Sequence, residues 1–597
     1  MNHRAIAAAL VSPLAVTVAM AGPVQAAEGD LRVVYPPDGR ETASDRIFII
    51  GSGDPATAVT INGQAIRRSP SGNFAPSFPL RVGPNQFEIR HGSTLRRLTV
   101  NRLDLTPQVD PDSGLVLSSL APTSAIARPV GEPICWRALG VPGLDVVARL
   151  GDRAIPLTPQ PTAATLPDNS AALVGNNEPI AGSDRAALVT YGGCGPMPAI
   201  AAALPSTIES RRTPQGTPVR LPAAEISNLH VNSPPVVEVT ARPAAIARTG
   251  PSTNHSRLTP LPTGTRAAVT GRDGDWLRLD YGAWILAREA QELPGAIAPH
   301  SHVRSVRSVQ VGNSTEIRIP LEVPIPVSLD QGTDWLTLTL HSATAQTDTI
   351  AVGADPILER LDWSQPEPGR LVYRLNLRGR SWGYSLRYEG TTLVLTLNHP
   401  PATDQAPRDR PLTGTTILLD PGHGGAESGS VGPTGYPEKD ANLVLSQLLT
   451  TELEGRGARV LTTRTADQEV SLPDRQAAIA RARPTLALSI HYNALPDSGN
   501  AETTQGIGMF WYHPQAQDLA EWLHDSLTAE LDRPSYGVFW GNLALARPTE
   551  APSVLMELGF MINPEEFEWI TSPPEQQRLA RAIADALVTW IANAPRG

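Results

Sequence analysis

Thr415-Thr416-Ile417-Leu418-Leu419 runs directly into Asp420-Pro421-Gly422-His423-Gly424-Gly425, and this passage from an apolar run into a glycine-rich loop decides the reading of the C-terminal region. A short apolar run bounded by turn residues reads as a buried strand. Residues 486–490 and 554–558 give two further runs of this kind. Between and after them come helical periods. Leu445, Leu448, Leu449 and Leu453 share one face, Leu519, Leu523, Leu527 and Leu531 recur every four residues, and Leu579, Ile583, Leu587 and Ile591 do the same. Asp440 is expected to cap the first helix and Gly455 and Gly457 to end it. Ser471, followed by Pro473 and Asp474, opens a helix that stops before Pro484. Strand and helix alternating in this way predict an α/β domain over 413–593, with a mostly parallel sheet flanked by helices.

Upstream the texture changes. At 597 residues the chain is too long for one hydrophobic core, and its 58 prolines suit short β-modules joined by stiff connections. The fold class is therefore multidomain: several N-terminal all-β modules, then the α/β domain. Arg4, an apolar stretch over 5–21 and Val24-Gln25-Ala26 predict a signal peptide removed after residue 26. No later stretch is apolar and long enough to be an integral membrane span, so the expected location is the periplasm or cell envelope. A net charge of -10 argues against nucleic acid as a partner. Cys135 and Cys194 either pair in an oxidising compartment or lie as two buried thiols.

Residues 30–102 alternate in short runs broken by Asn62-Gly63 and Gly83-Pro84-Asn85 and resemble bacterial Ig-like β-sandwich modules. Residues 105–235 have β-like fragments and no assignable role. Residues 236–293, with Gly274-Asp275-Trp276-Leu277 and Gly282-Ala283-Trp284, resemble SH3-like modules, and both tryptophans read first as core aromatics. Residues 300–400 resemble AMIN modules in pattern and position, and proline-rich 401–412 reads as a linker.

The chemistry falls where the C-terminal strands end, which is where ligands gather in open α/β sheets. His423 follows the first strand, His491 ends the second, and Glu557 ends the third. With Glu438 ahead of the first helix, the two histidines make a His2Glu set that leaves a fourth position open, as in hydrolytic zinc sites. Zinc lowers the pKa of its water to about 7 and polarises a carbonyl. Glu557 remains as the proton acceptor and donor. Taken singly, His423 is an ordinary loop histidine and Glu438 an acid at a helix start, whereas Glu557 inside the apolar run 554–560 is costly without a function or a partner.

The motifs Leu419-Asp420-Pro421-Gly422-His423-Gly424-Gly425, Glu438-Lys439-Asp440-Ala441-Asn442-Leu443, Ser489-Ile490-His491-Tyr492-Asn493 and Glu557-Leu558-Gly559-Phe560 resemble, in this order, the zinc-dependent N-acetylmuramoyl-L-alanine amidases of type 3. Thr463-Arg464, Ser471-Leu472 with Arg475, and Asn563-Pro564-Glu565 match as well. The resemblance implies Zn2+ on His423, Glu438 and His491, catalysis by Glu557, and hydrolysis of the amide between N-acetylmuramic acid and L-alanine in peptidoglycan. It also implies a part for Asn493 and Arg547 in orienting substrate or ligands. Asp420 is expected to fix the tautomer of a ligating histidine. His513 is a spare metal candidate.

Tyr492 departs from the small residue usual beside the second histidine and is expected to narrow the groove or stack on sugar. Residues 495–505 leave no room for the inserted helix that blocks some relatives, so control is expected from localisation by the N-terminal modules; a cell-division or envelope activator is a second candidate partner. The rival functions are a peptidase of wall crosslinks and a non-catalytic wall-binding protein.

Overall fold

A computed structural model describes residues 31–593 except 162–163, 165, 168–170, 175–177, 179–187, 214, 230–232 and 404. The expected signal peptide over 1–26 lies outside the described residues. Residues 32–102 fold into small sheets around Ile47, Ile49, Ile61, Phe74, Ile89 and Val100. A thirteen-stranded sheet follows, its main path running from Leu115–Ala121 to Ala290–Glu292, with Trp276–Leu279 and Trp284–Leu286 branching from Arg266–Asp273. Within it Ile126–Pro129 pairs with both Val219–Leu229 and Arg266–Asp273, so the ladder crosses the expected boundary at 235/236. Cys135 and Cys194 face each other on paired strands and form a disulfide. Trp284 is buried and Trp276 half-buried in the region of 236–293. Residues 301–398 form a five-stranded and a four-stranded sheet closed over one apolar core.

The C-terminal domain contains, in order, β1 (Thr416–Pro421), α1 (Glu438–Gly455), β2 (Arg459–Thr462), α2 (Leu472–Ala482), β3 (Leu486–Asn493), β4 (Ile507–Trp511), α3 (Gln517–Leu531), β5 (Ser535–Trp540), β6 (Ser553–Phe560), α4 (Pro564–Thr571) and α5 (Pro573–Asn593). The sheet order is β2-β1-β3-β6-β4-β5. Every pairing is parallel except β4 with β6. Alternation along the strands divides the apolar residues between two layers. Ile417, Leu419, Leu488, Ile490, Val554 and Met556 pack with α1, α3 and α5, while Leu418, Ala487 and Leu555 pack with Ile479 of α2. Leu445, Leu449 and Leu453 of α1 are fully buried.

Two helix starts distinguish local signals. Ser471 caps α2 as expected, its side chain accepting the Asp474 amide. Asp440 does not cap α1: the helix begins two residues earlier behind Pro437, without a side-chain cap, and Glu438 enters the first turn. Proline favours the extended conformation ahead of the helix, and the dipole welcomes Glu438 at its start.

No described helix is long and apolar enough to cross a membrane. Residues 494–506 contain no helix, in line with the short spacing in the sequence. They are instead gripped by the 32–102 module. Phe48, Ile50 and Ala75 close a small core with Ala501, Phe560 and Ile562. Asp497 accepts hydrogen bonds from Tyr35 and, at 2.6 Å, from Thr42. On α4, Glu568 accepts from Ser71 N at 3.0 Å and from Asn73 at 3.2 Å.

Candidate active site

Parallel register brings the strand-borne residues together before any side chain is considered. Ser489 pairs with Asp420 on one side and Leu555 on the other, and His491 pairs with Glu557. Because side chains alternate, Asp420, Ser489, His491 and Glu557 project to the α2 face at the carboxyl ends of β1, β3 and β6. His423 arrives from the loop after β1 and Glu438 from the first turn of α1.

These residues converge. His423 Nε2 lies 3.3 Å and His491 Nδ1 3.0 Å from Glu438 Oε1. The three donor atoms sit within 4.8 Å of one another, the one such group among the described residues. Zinc bonds of 2.0–2.1 Å in a tetrahedron place donors about 3.4 Å apart, so the set fits the ion implied by the sequence. Glu438 is itself fastened: Oε2 accepts from Ser430 N at 2.9 Å, and Oε1 from Tyr492 N at 3.1 Å and Asn442 Nδ2 at 3.2 Å. Glycine is required where the loop passes the donors. A Cβ on Gly422 would fall 2.1 Å from the His491 ring, and one on Gly429, at φ +66°, 2.5 Å from Glu438 Oε2.

The charges follow from this crowding. Burial opposes ionisation of Glu438, yet its contacts with His423 and then His491 hold it well below the usual carboxylate range. Burial likewise opposes a charge on His423, but Glu438 and then Glu427 outweigh it and raise its pKa. Burial, followed by the charge of Glu438, pushes Glu557 well above its ordinary value. Glu557 Oε2 is buried with no hydrogen-bond partner, a carboxyl oxygen left free for a reacting proton.

Other expected residues take different places. Asp420 bonds no imidazole: Oδ1 accepts from Arg475 and Thr463, each at 2.6 Å, and Oδ2 from Ser489 at 2.7 Å. Asn493 turns its carbonyl oxygen to the Ala494 amide. Tyr492 alternates away from His491 into the apolar core at 2 % exposure, so it neither narrows a groove nor meets sugar. Arg547 lies on the connection between β5 and β6, bonded to Asn542, and its carbonyl meets His513 Nε2 at 2.9 Å. Gly508 of β4 pairs with Glu557, and His513 is five residues further along. At about 3.4 Å per residue this puts Arg547 and His513 roughly 17 Å away, toward the opposite end of the sheet. The structure therefore does not bring Arg547 or His513 together with His423, Glu438 and His491. Sequence reasoning also missed the roles of Asn442 and Gly429; the Glu-x-x-x-Asn spacing on one helix face is the signal that points to the former.

His423, Glu438 and His491 thus form a group that could hold a metal ion, with the buried Glu557 on the adjacent strand at the strand ends of an α/β sheet. Residues 417–589 match the family model described as N-acetylmuramoyl-L-alanine amidase, and the C-terminal domain is an amidase domain of type 3. The chain is 37% identical over 186 residues to the probable cell wall amidase LytH of Staphylococcus aureus, covering 31% of this chain and 61% of that protein. The match thus spans less than two thirds of the relative's length. Among solved structures, an N-acetylmuramoyl-L-alanine amidase from Clostridium difficile 630 is 27% identical, with 30% of this chain and 97% of that one covered and a TM-score of 0.29. The amidase AmiC2 of Nostoc punctiforme is 28% identical, with 30% and 98% covered and the same TM-score of 0.29.

Proposed function

We propose that this protein is an exported, zinc-dependent N-acetylmuramoyl-L-alanine amidase that releases stem peptides from peptidoglycan glycan strands during wall remodelling or cell separation. The observation that carries the reading is the convergence of His423, Glu438 and His491 on one point, with Glu557 on the adjacent strand register. The disulfide supports an oxidising compartment such as the periplasm. The β-rich modules before the amidase domain would serve as spacers and wall anchors.

Zinc held by the three side chains would polarise the scissile carbonyl and make a water molecule acidic. Glu557 does the proton work: its free Oε2 accepts a proton from the attacking water and passes it to the departing L-alanine nitrogen, so the C–N bond breaks without expelling an amide anion. Asn442 and the Ser430 and Tyr492 amides keep Glu438 turned to the metal position.

The full chain is incubated with zinc and sacculi beside a Glu557→Gln variant, and products are identified by mass spectrometry. Free peptides beginning at L-alanine, lost in the variant, are expected. Cuts inside the peptide would replace the amidase reading with a crosslink peptidase, and binding without any product would leave a wall-binding protein.

A further inference from the structure

His423 occupies the left-handed backbone region, uncommon for residues other than glycine, with φ +59°. A ligand held in the left-handed region needs its surroundings to keep it there. The surroundings are two buried arginines, each 2 % exposed. Arg475 donates from Nη2 to the His423 carbonyl at 2.7 Å and from Nη1 to the Pro421 carbonyl at 2.8 Å. Arg464 donates to the carbonyls of Pro421 and Gly422, each at 2.9 Å, and of Lys439 at 2.7 Å. One guanidinium thus grips the loop carrying His423, and the other ties that loop to the helix start carrying Glu438.

The orientation of Arg475 is fixed in turn. Asp420, 1 % exposed, meets its Nη1 at 2.6 Å, and the carboxylate is locked by Thr463 and Ser489. Ser489 sits two residues before His491, so the network joins β3, which carries His491, to β1, whose following loop carries His423. Such an investment of buried charge does not raise stability by itself, because desolvation consumes most of the attraction. What it does supply is a rigid planar fork aimed at two backbone carbonyls, a task a lysine cannot reproduce.

We infer that Arg475, oriented by Asp420, is a positioning residue for the metal ligand His423, acting on the backbone carbonyl of His423 rather than on its ring. This rests on the zinc reading of the site. The chain of contacts predicts that loosening the guanidinium fork lets the His423 loop leave its left-handed conformation, so the imidazole spends less time facing Glu438 and His491.

The test measures zinc affinity of the full chain by competition with a chromophoric chelator, and the visible spectrum of the cobalt-substituted protein, for wild type, Arg475→Lys and Thr463→Ala. All are measured well below their unfolding temperatures, checked by circular dichroism. Arg475→Lys keeps the buried positive charge and is expected to weaken zinc about 10- to 100-fold, the range for residues that orient ligands, with an altered cobalt spectrum. Thr463→Ala leaves the arginine and its bond to Asp420 Oδ1 in place, removes one of the two hydroxyls that orient that carboxylate and is expected to weaken zinc about threefold or more. Folded Arg475→Lys with wild-type affinity and an unchanged spectrum would overturn the inference; if that variant does not fold, wild-type affinity in Thr463→Ala overturns it. A wild-type protein that binds zinc no better than His491→Ala would instead remove the zinc reading itself.

Discussion

The two ends of the amidase-domain sheet are furnished with similar residue types and differ in how the chain folds over them. At the carboxyl ends of β1, β3 and β6 stand two histidines, two arginines and two glutamates, all turned toward one point or tied to the loop that reaches it. Toward the opposite end stand His513, Arg547, Tyr512 and Trp540, which bond and stack on one another but form no group of metal donors among the described residues. His513 lies edge-on between Tyr512 and Tyr384, and Trp540 stacks on Tyr512. A module covers each end. The 32–102 module grips residues 494–506 beside the cluster of His423, Glu438 and His491, whereas the 301–398 module anchors Arg380 on Asp518 and Gln515 and packs Trp382 on Trp590. Residue type therefore does not separate a site from a scaffold, and the direction of the strands does.

The largest expected effect breaks the symmetry at the reactive end. Glu557→Gln keeps the volume and removes the proton acceptor, and a loss of about 10²- to 10⁴-fold in rate on sacculi is expected at unchanged zinc content. An active variant would move the proton transfer to another group. Next comes metal removal. With zinc at 100 times its dissociation constant, the folded state gains about 2.7 kcal/mol, so a chelator should lower the unfolding midpoint of wild type and leave His491→Ala unmoved. An equal shift in both would place the metal elsewhere.

Asp497→Ala tests the module at the reactive end. It removes a carboxylate serving Tyr35 and Thr42, worth about 1.5–3 kcal/mol for hydrogen bonds to a charged group. Hydrogen exchange over 494–506 should rise while the amidase domain stays folded; unchanged exchange would show that the docking is held by the Phe48 and Phe560 core alone.

The far end gives a pH prediction. Burial lowers the His513 pKa from 6.5 to about 4 in the folded protein, so the unfolded chain binds a proton between those values that the folded protein refuses. Stability from this group is fully present above pH 6.5 and falls as pH drops toward 4, by at most about 3 kcal/mol. His513→Asn should flatten the denaturation midpoint across that interval relative to wild type, and an identical slope would contradict the burial argument. The smallest effect belongs to the half-buried Arg547→Ala, which should change turnover on sacculi less than about twofold, because its guanidinium bonds Asn542 and not the residues around Glu438. A hundredfold loss would return Arg547 to the reactive end.

Much of this was legible in the sequence, for reasons that particular residues make clear. The apolar runs at 415–419, 486–490 and 554–558 announce buried parallel strands because both faces are covered, and the alternation within them already puts His491 and Glu557 on one face. Glu438 was legible as a donor, whereas the expected cap Asp440 lies inside the first turn, because the helix begins at Glu438 behind Pro437 with no side-chain cap. Asp420, Tyr492 and Arg547 were misplaced for a common reason: their partners are set by where the chain returns, and sequence motifs carry no return path. Tyr492 beside His491 looks like a groove residue until period two sends it into the core. The docking of 32–102 left no trace at all, because the faces of Phe48 and Ala501 read as ordinary strand and loop positions.

The central claim is that one end of this sheet binds zinc through His423, Glu438 and His491. Anomalous X-ray diffraction on crystals of the full chain, recorded on either side of the zinc edge, tests it most directly. One peak bonded to those three side chains is predicted. A peak at His513, or none there in crystals grown with zinc, would contradict it.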